Sequence, residues 1–141
     1  MPSTPDYAGD VAPMDAYAAL QDDPEAVLVD VRTTAEWTYV GLPDLGDLGK
    51  RVVCVEWQRF PDGALNEGFV DQLNGAGLQP GAPVYFLCRS GVRSRAAAVA
   101  ATAAGLGPAY NVSDGFEGPH DDQGHRTLSG WKVDGLPWRQ G

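Results

Sequence analysis

Long hydrophobic runs are absent from this sequence. No apolar segment among the 141 residues approaches the roughly 20 consecutive apolar residues of a membrane-spanning helix. The stretch from Met1 to Asp10 has neither a basic start nor an apolar core, so it does not match a secretory signal peptide. We therefore expect a cytoplasmic protein that neither spans nor binds a membrane.

Cysteine and basic residues are scarce. The two cysteines, Cys54 and Cys88, are too few for a disulfide framework. The sequence does not decide whether they form a single disulfide with each other or whether Cys54 is redox-active. Cys54 stands in a valine-rich run and is predicted to pack in the core. Ten basic residues face 19 acidic ones, a net charge of −9. This balance argues against nucleic acid or an anionic membrane as a partner.

Motifs for metals and nucleotides are also missing. Histidine occurs only as His120 and His125, and without a Cys-x-x-Cys pair these side chains are a thin ligand set for zinc. The glycines on either side of Asp47 lack the spacing and the terminal hydroxyl residue of a phosphate-binding loop. The sequence therefore predicts neither a metal nor a cofactor.

The composition that remains is typical of one globular domain. Hydrophobic residues make up 43% of the chain, with four tryptophans, which is enough for a core without disulfides at this length. We expect a flexible N-terminal arm over residues 1–10 and a single domain over residues 11–141.

Apolar runs alternate with helical patterns along that domain. The patterns predict helices over 12–20, over 66–73 and through an alanine-rich run that ends at Ala104, and strands over 26–31, 51–57, 84–87 and 108–112. Strands separated by helices form parallel βαβ units. The sequence thus predicts an α/β fold with a mainly parallel central sheet flanked by helices on both faces. Ligands of such sheets bind beyond the carboxyl ends of the strands.

One cysteine lies at the end of such a predicted strand. An apolar run leads into Cys88, and a short loop with a glycine and arginines leads into the alanine-rich helix. Backbone N–H groups of such a loop and of a helix start stabilise a thiolate. Arg89, Arg93 and Arg95 concentrate positive charge there in an otherwise acidic chain. The pattern indicates a nucleophilic cysteine that acts on a small anionic substrate.

Three segments together resemble the rhodanese family of single-domain sulfurtransferases. The segment from Asp30 to Trp37 is similar to the family's Asp-x-Arg-x-x-x-Glu-aromatic motif. The segment from Cys88 to Ser94 is similar to its active-site loop. Its closing motifs are matched by Asn111 to Phe116, by Gly130-Trp131 and by Gly135-Leu136-Pro137.

The resemblance implies a persulfide mechanism. In the family a cysteine thiolate takes a sulfane sulfur from an anionic donor such as thiosulfate and passes it to a thiol or to cyanide. Cys88 matches this catalytic residue. The substrate-binding residues would be the rest of the loop, whose N–H groups can ring the outer sulfur: Arg89, Ser90, Gly91, Val92, Arg93 and Ser94. The arginines at 89 and 93 would form a cationic entrance, and the hydroxyls of Ser90 and Ser94 would add hydrogen bonds.

Asp30 and Arg32 match supporting positions of the family. We expect an ion pair that fixes the strand end beside the active site, with contact between Arg32 and substrate as the alternative. Glu36 is expected to brace the neighbouring loop or helix end. Trp37 and Trp57 are expected either to line the mouth of the site or to pack in the core.

Two departures from the family pattern stand out. The usual histidine after the aromatic residue is missing from Val40 to Leu45. An extra segment, residues 119–129, precedes Trp131 and would be the place for a protein sulfur acceptor to bind.

Two other functions remain open. Cysteine phosphatases, some of which share this fold, need an arginine six positions after the cysteine, where this chain has Ser94. Arsenate reduction is related chemistry. The second alternative is a non-catalytic or regulatory binding module, although such modules usually lack the cysteine.

Overall fold

The main feature of the fold is a five-stranded parallel sheet. The computed structural model describes residues 7–33, 36–37, 41–50, 52–58, 64–78, 80–88, 92–113, 115–116, 131 and 136–139. The strands of the sheet are β1 (Gly9–Val11), β2 (Val27–Asp30), β4 (Val53–Cys54), β5 (Pro80–Leu87) and β6 (Gly107–Val112), in the order β1-β6-β5-β2-β4. Two further strands, β3 (Leu42–Pro43) and β7 (Trp138–Arg139), form an antiparallel pair of their own.

Helices cover both faces of this sheet, as the sequence predicts. Successive residues of a strand point to opposite faces, so β5 contributes Val84 and Phe86 to one core and Tyr85 and Leu87 to the other. The first core is covered by α2 (Phe69–Gly75) and α3 (Val92–Ala103). The second is covered by α1 (Pro13–Asp22) and by the tail residues Trp131 and Leu136.

The helix α3 lies close to the sheet because its inner face is made of alanines. Ala97, Ala98 and Ala101 are fully buried, and their small side chains allow a close approach to the strands. Gly105, two residues after the end of α3, has a φ of +82°, the left-handed conformation that glycine adopts at low cost. Its N–H donates to the Thr102 carbonyl, and that of Leu106 donates to the Ala101 carbonyl.

The N-terminal boundary predicted from the sequence is wrong for residues 9 and 10. Gly9 and Asp10 belong to β1, which pairs with β6, while residues 1–6 lie outside the described residues. The strand predicted over residues 51–57 is also shorter than expected, since among the described residues 52–57 only Val53 and Cys54 are in regular pairing. Beyond it the N–H of Val55 donates to the carbonyl of Asp30, the last residue of β2, and the N–H of Trp57 donates to the carbonyl of Val31.

The prediction that Cys54 packs in the core is wrong as well, since its side chain is exposed while Cys88 is buried. Cys54 lies on an edge strand, opposite Asp30, and Asp30 in turn lies opposite Leu87 on the next strand. Two strand spacings, about 9.6 Å, therefore separate Cys54 from the end of β5. A disulfide needs Cα atoms within about 7 Å, so a bridge to Cys88 is excluded.

None of the helices within the described ranges is long and apolar enough to cross a membrane.

Candidate active site

The candidate site lies where the central strands of the sheet end. Asp30 of β2 is in register with Leu87 of β5, and the N–H of Val31 donates to the Leu87 carbonyl at 2.8 Å. Cys88 follows directly and is only 1% exposed. Because the carboxyl ends of parallel strands meet at one edge, Cys88 and the Asp30–Arg32 segment lie together, as the sequence predicts.

Ser94 contacts the Cys88 thiol from the first turn of α3. Its Oγ lies 3.2 Å from Cys88 Sγ, and both side chains are buried. The Cys88 carbonyl accepts a hydrogen bond from the N–H of Phe116 at 2.8 Å. Of the other predicted loop residues, Arg89, Ser90 and Gly91 lie outside the described residues, and of Val92 only the backbone, at the start of α3, is described.

Arg93 is held by a carboxylate. Its Nη1 and Nη2 donate to Glu36 Oε1 and Oε2 at 2.6 and 3.0 Å, and about a fifth of each side chain is exposed. The hydrogen bond to Glu36 raises the pKa of the guanidinium, and the charge of the nearby Cys88 adds a smaller increase. The charge of Arg93 reaches the thiol, but Glu36 neutralises much of it. Arg93 therefore brings less net positive charge to the site than the sequence predicts.

Glu36 braces the segment after β2, in line with its expected role. Its Oε1 accepts hydrogen bonds from the N–H and the hydroxyl of Thr33, while Thr33 Oγ1 accepts one from the N–H of Glu36. This reciprocal arrangement is a capping box. Burial raises the pKa of the Glu36 carboxyl, but Arg93 and Thr33 outweigh it and the pKa lies below its usual value.

Asp30 and Arg32 form the expected ion pair, with both side chains fully buried. Arg32 donates through Nε to Asp30 Oδ1 at 3.0 Å and through Nη2 to Oδ2 at 2.7 Å, and Nη2 also donates to the Gly41 carbonyl. The guanidinium lies 4.3 Å from the centre of the Phe116 ring. These contacts favour the bracing role, since only Nη1 has no hydrogen-bond partner among the described residues.

Two polar residues that the sequence does not single out for the site are connected to it. Ser94 Oγ also lies 2.5 Å from Asn111 Oδ1, and Asn111 Nδ2 donates to Asp10 Oδ1 at 2.9 Å. Asn111 is in register with Phe86 on β5, so it points to the face that carries Cys88. The available signal was a polar residue inside an otherwise apolar strand.

Arg95 pairs with Asp10 at the protein surface. It is 58% exposed, and its Nη2 is 4.0 Å from Asp10 Oδ2. The segment over residues 119–129, including both histidines, lies outside the described residues.

Known proteins are similar to this chain in fold and in sequence. The chain superimposes on the crystal structure of Rv0390 from Mycobacterium tuberculosis with a TM-score of 0.88, at 56% identity over 96% of this chain and 99% of that one. The polysulfide-sulfur transferase homodimer of Wolinella succinogenes gives a TM-score of 0.63 at 26% identity, covering 95% and 79%. The chloroplastic rhodanese-like domain-containing protein 4 of Arabidopsis thaliana is 32% identical over 87% of this chain and 24% of its own length.

A family assignment follows from the sequence match. Residues 8–141, nearly the whole chain, match the STR4 middle domain family. With its parallel sheet and its rhodanese-like relatives, the chain belongs to the STR4 middle domain family and has a rhodanese-like fold.

Proposed function

We propose that this protein is a sulfurtransferase in which Cys88 takes a sulfane sulfur from an anionic donor such as thiosulfate and passes it to a thiol or to cyanide. The observation that supports this most directly is the buried Cys88 thiol at the carboxyl edge of the sheet, 3.2 Å from the Ser94 hydroxyl. A thiol held among hydrogen-bonding groups at this edge is placed to receive a small ligand.

The proposed reaction has two steps. The Cys88 thiolate attacks the outer sulfur of thiosulfate, a new S–S bond forms, the old S–S bond breaks, and sulfite leaves with the electron pair. The acceptor, a thiolate or cyanide, then attacks the outer sulfur of the persulfide and leaves as a persulfide or as thiocyanate, which restores the thiolate. No external oxidant or metal takes part, and the Ser94 hydroxyl is placed to donate to the charged sulfur.

Two observations favour sulfur over phosphate as the transferred group. The similar solved structures include the Wolinella protein, which is named a polysulfide-sulfur transferase. The residue that reaches the thiol from six positions downstream is Ser94, which is neutral. A phosphatase needs an arginine there to hold a tetrahedral, doubly charged phosphate.

A protein sulfur acceptor belongs to the same proposal. Residues 119–129 form the extra segment between Phe116 and Trp131, and we assign the contact with such an acceptor to them.

Mass spectrometry of the intact protein tests the proposed function. After treatment with thiosulfate we expect a gain of one sulfur, about 32 Da, that cyanide or a thiol removes. Cys88→Ser abolishes the gain, whereas Cys54→Ser keeps it, because Cys54 is the exposed second cysteine and lies outside the site. If neither thiosulfate nor polysulfide adds a sulfur to Cys88, the transferase proposal is wrong, and the hypothesis of a non-catalytic binding module is favoured. Turnover of an aryl phosphate instead would favour a phosphatase.

A further inference from the structure

A chain of polar side chains leads from the buried thiol to the protein surface. It runs from Cys88 to Ser94 at 3.2 Å, to Asn111 at 2.5 Å and to Asp10 at 2.9 Å. Ser94 and Asn111 are fully buried. The four residues come from the end of β5, from α3, from β6 and from β1, so the chain joins four separate elements.

The outer end of this chain fixes the orientation of the Asn111 amide. A carboxylate only accepts hydrogen bonds, so the Asn111 group that faces Asp10 must be the Nδ2 donor. The amide oxygen Oδ1 therefore faces Ser94. An amide oxygen also only accepts, so Ser94 must donate its single hydroxyl proton to Asn111.

The direction of that proton determines what Ser94 offers to Cys88. While Ser94 donates its proton to Asn111, its Oγ presents a lone pair to Cys88 Sγ. This lone pair can accept a hydrogen bond from the neutral thiol. A thiolate or persulfide anion needs the opposite polarity, with the hydroxyl proton pointing at sulfur. That turn leaves the buried Asn111 oxygen without its donor, which is unfavourable.

We propose that Asn111, oriented by Asp10, is a positioning residue that directs the Ser94 proton away from Cys88 and so favours the neutral thiol in the resting protein. When the sulfur becomes charged, the Ser94 hydroxyl turns and donates to it. For the persulfide state this inference rests on the proposed function, but its effect on the thiol itself does not.

Several charged or titratable groups lie around this chain. They are Arg93 with its partner Glu36, the Asp30–Arg32 pair, and Asp10 with its neighbours Tyr7 and Arg95. A decisive variant must therefore leave every charge in place. Asn111→Leu and Ser94→Ala do so, because each replaces a neutral side chain by another neutral one.

The test measures how fast iodoacetamide alkylates Cys88 as a function of pH, in a Cys54→Ser background so that Cys88 is the only thiol. Asn111→Leu frees the Ser94 proton for the thiolate, and we expect the midpoint of the rate profile to fall by about one pH unit. In a Ser94→Ala background the same substitution is expected to move the midpoint by less than about 0.3 unit, because the residue through which Asn111 acts is gone.

Asp10→Asn provides a second route if Asn111→Leu does not fold, since Asp10 is 43% exposed. Loss of the Asp10 charge lowers the midpoint of the alkylation profile whether residue 94 is serine or alanine. The further decrease that comes from releasing the Ser94 proton is expected only when Ser94 is present. Ser113→Ala is the matched control, because this hydroxyl lies two residues from Asn111 and donates to the Val11 carbonyl instead. We expect it to leave the profile unchanged.

Equal shifts with and without Ser94, or no shift at all, would overturn the inference. The persulfide mass gain is a separate readout. Its absence would reject the sulfurtransferase proposal while leaving the result on the thiol intact.

Discussion

The Asp30–Arg32 pair has both side chains fully buried, so neither charge has water available to replace its partner. Asp30→Asn leaves the guanidinium buried opposite a neutral amide, and we expect the free energy of unfolding to fall by about 3 to 5 kcal/mol. Urea denaturation measures the change. Arg95→Gln is the control, because its exposed, 4.0 Å pair with Asp10 is expected to contribute less than about 1 kcal/mol. Similar losses in the two variants would contradict the bracing role of Asp30.

The Glu36–Arg93 pair gives the protein a defined sensitivity to acid. The folded state holds the pKa of Glu36 below the ordinary value of 4.5, so on acidification the unfolded chain takes up the proton first. The stabilisation is therefore complete above about pH 5 and is lost as the pH falls through the lowered folded value.

Comparison with Glu36→Gln measures this effect. We expect the difference in free energy of unfolding between the two proteins to be constant from pH 7 to about 5 and to shrink towards pH 3. Glu67→Gln, at an exposed position, is the control and is expected to change the free energy of unfolding less than Glu36→Gln. A Glu36 difference that does not change with pH would refute the assignment.

The strand-loop-helix unit around Cys88 is the element that the sequence predicts best. The apolar run of β5 and the alanine face of α3 are strong local signals, and Gly105 correctly marks the helix end. The strand β1 could not be predicted in the same way. It has three residues, including a glycine and an aspartate, and its pairing with β6 joins Asp10 to Asn111, positions 101 apart in the chain. Local patterns carry no information about such a contact.

The end of α3 yields a test at the scale of one element. Gly105→Ala places a side chain at a φ of +82°, and we expect it to lower the free energy of unfolding by about 1 to 2 kcal/mol. Gly75→Ala is the matched control, since this glycine lies in α2 without a positive φ and with open space around it. It is expected to be neutral or to stabilise by up to about 1 kcal/mol. Equal losses at both positions would contradict the capping role of Gly105.

At the scale of the whole molecule, the second core depends on residues from the far end of the chain. Trp131 is fully buried, its Nε1 donates to the Pro137 carbonyl at 2.7 Å, and its ring meets Tyr17 of α1 edge-on. Trp131→Ala is expected to lower the free energy of unfolding by about 3 to 5 kcal/mol, because it leaves a large cavity. Trp138 is 42% exposed and its ring contacts Phe116 edge-on. Trp138→Ala is therefore expected to lower the free energy of unfolding clearly less than Trp131→Ala, with both variants measured by thermal or urea denaturation. A larger loss at Trp138 would contradict this placement.

The sequence also predicts which segments meet at the candidate site, but not every contact there. Cys88, Ser94, Asp30 and Arg32 lie on segments with a recognisable spacing, and the structure brings them to one edge. The neutralisation of Arg93 by Glu36 depends on packing between residues 57 positions apart, which no local motif encodes.

The position of β1 at the edge of the sheet has a consequence for handling the protein. Edge strands of three residues detach more readily than central ones, and each detachment carries Asp10 away from the amide that it orients. Under our inference, the reactivity of Cys88 then reports whether the N-terminal segment is docked. A tag or fusion partner on the N-terminal side of β1 that weakens its pairing with β6 is therefore expected to change the reactivity of Cys88 through the hydrogen-bonded chain.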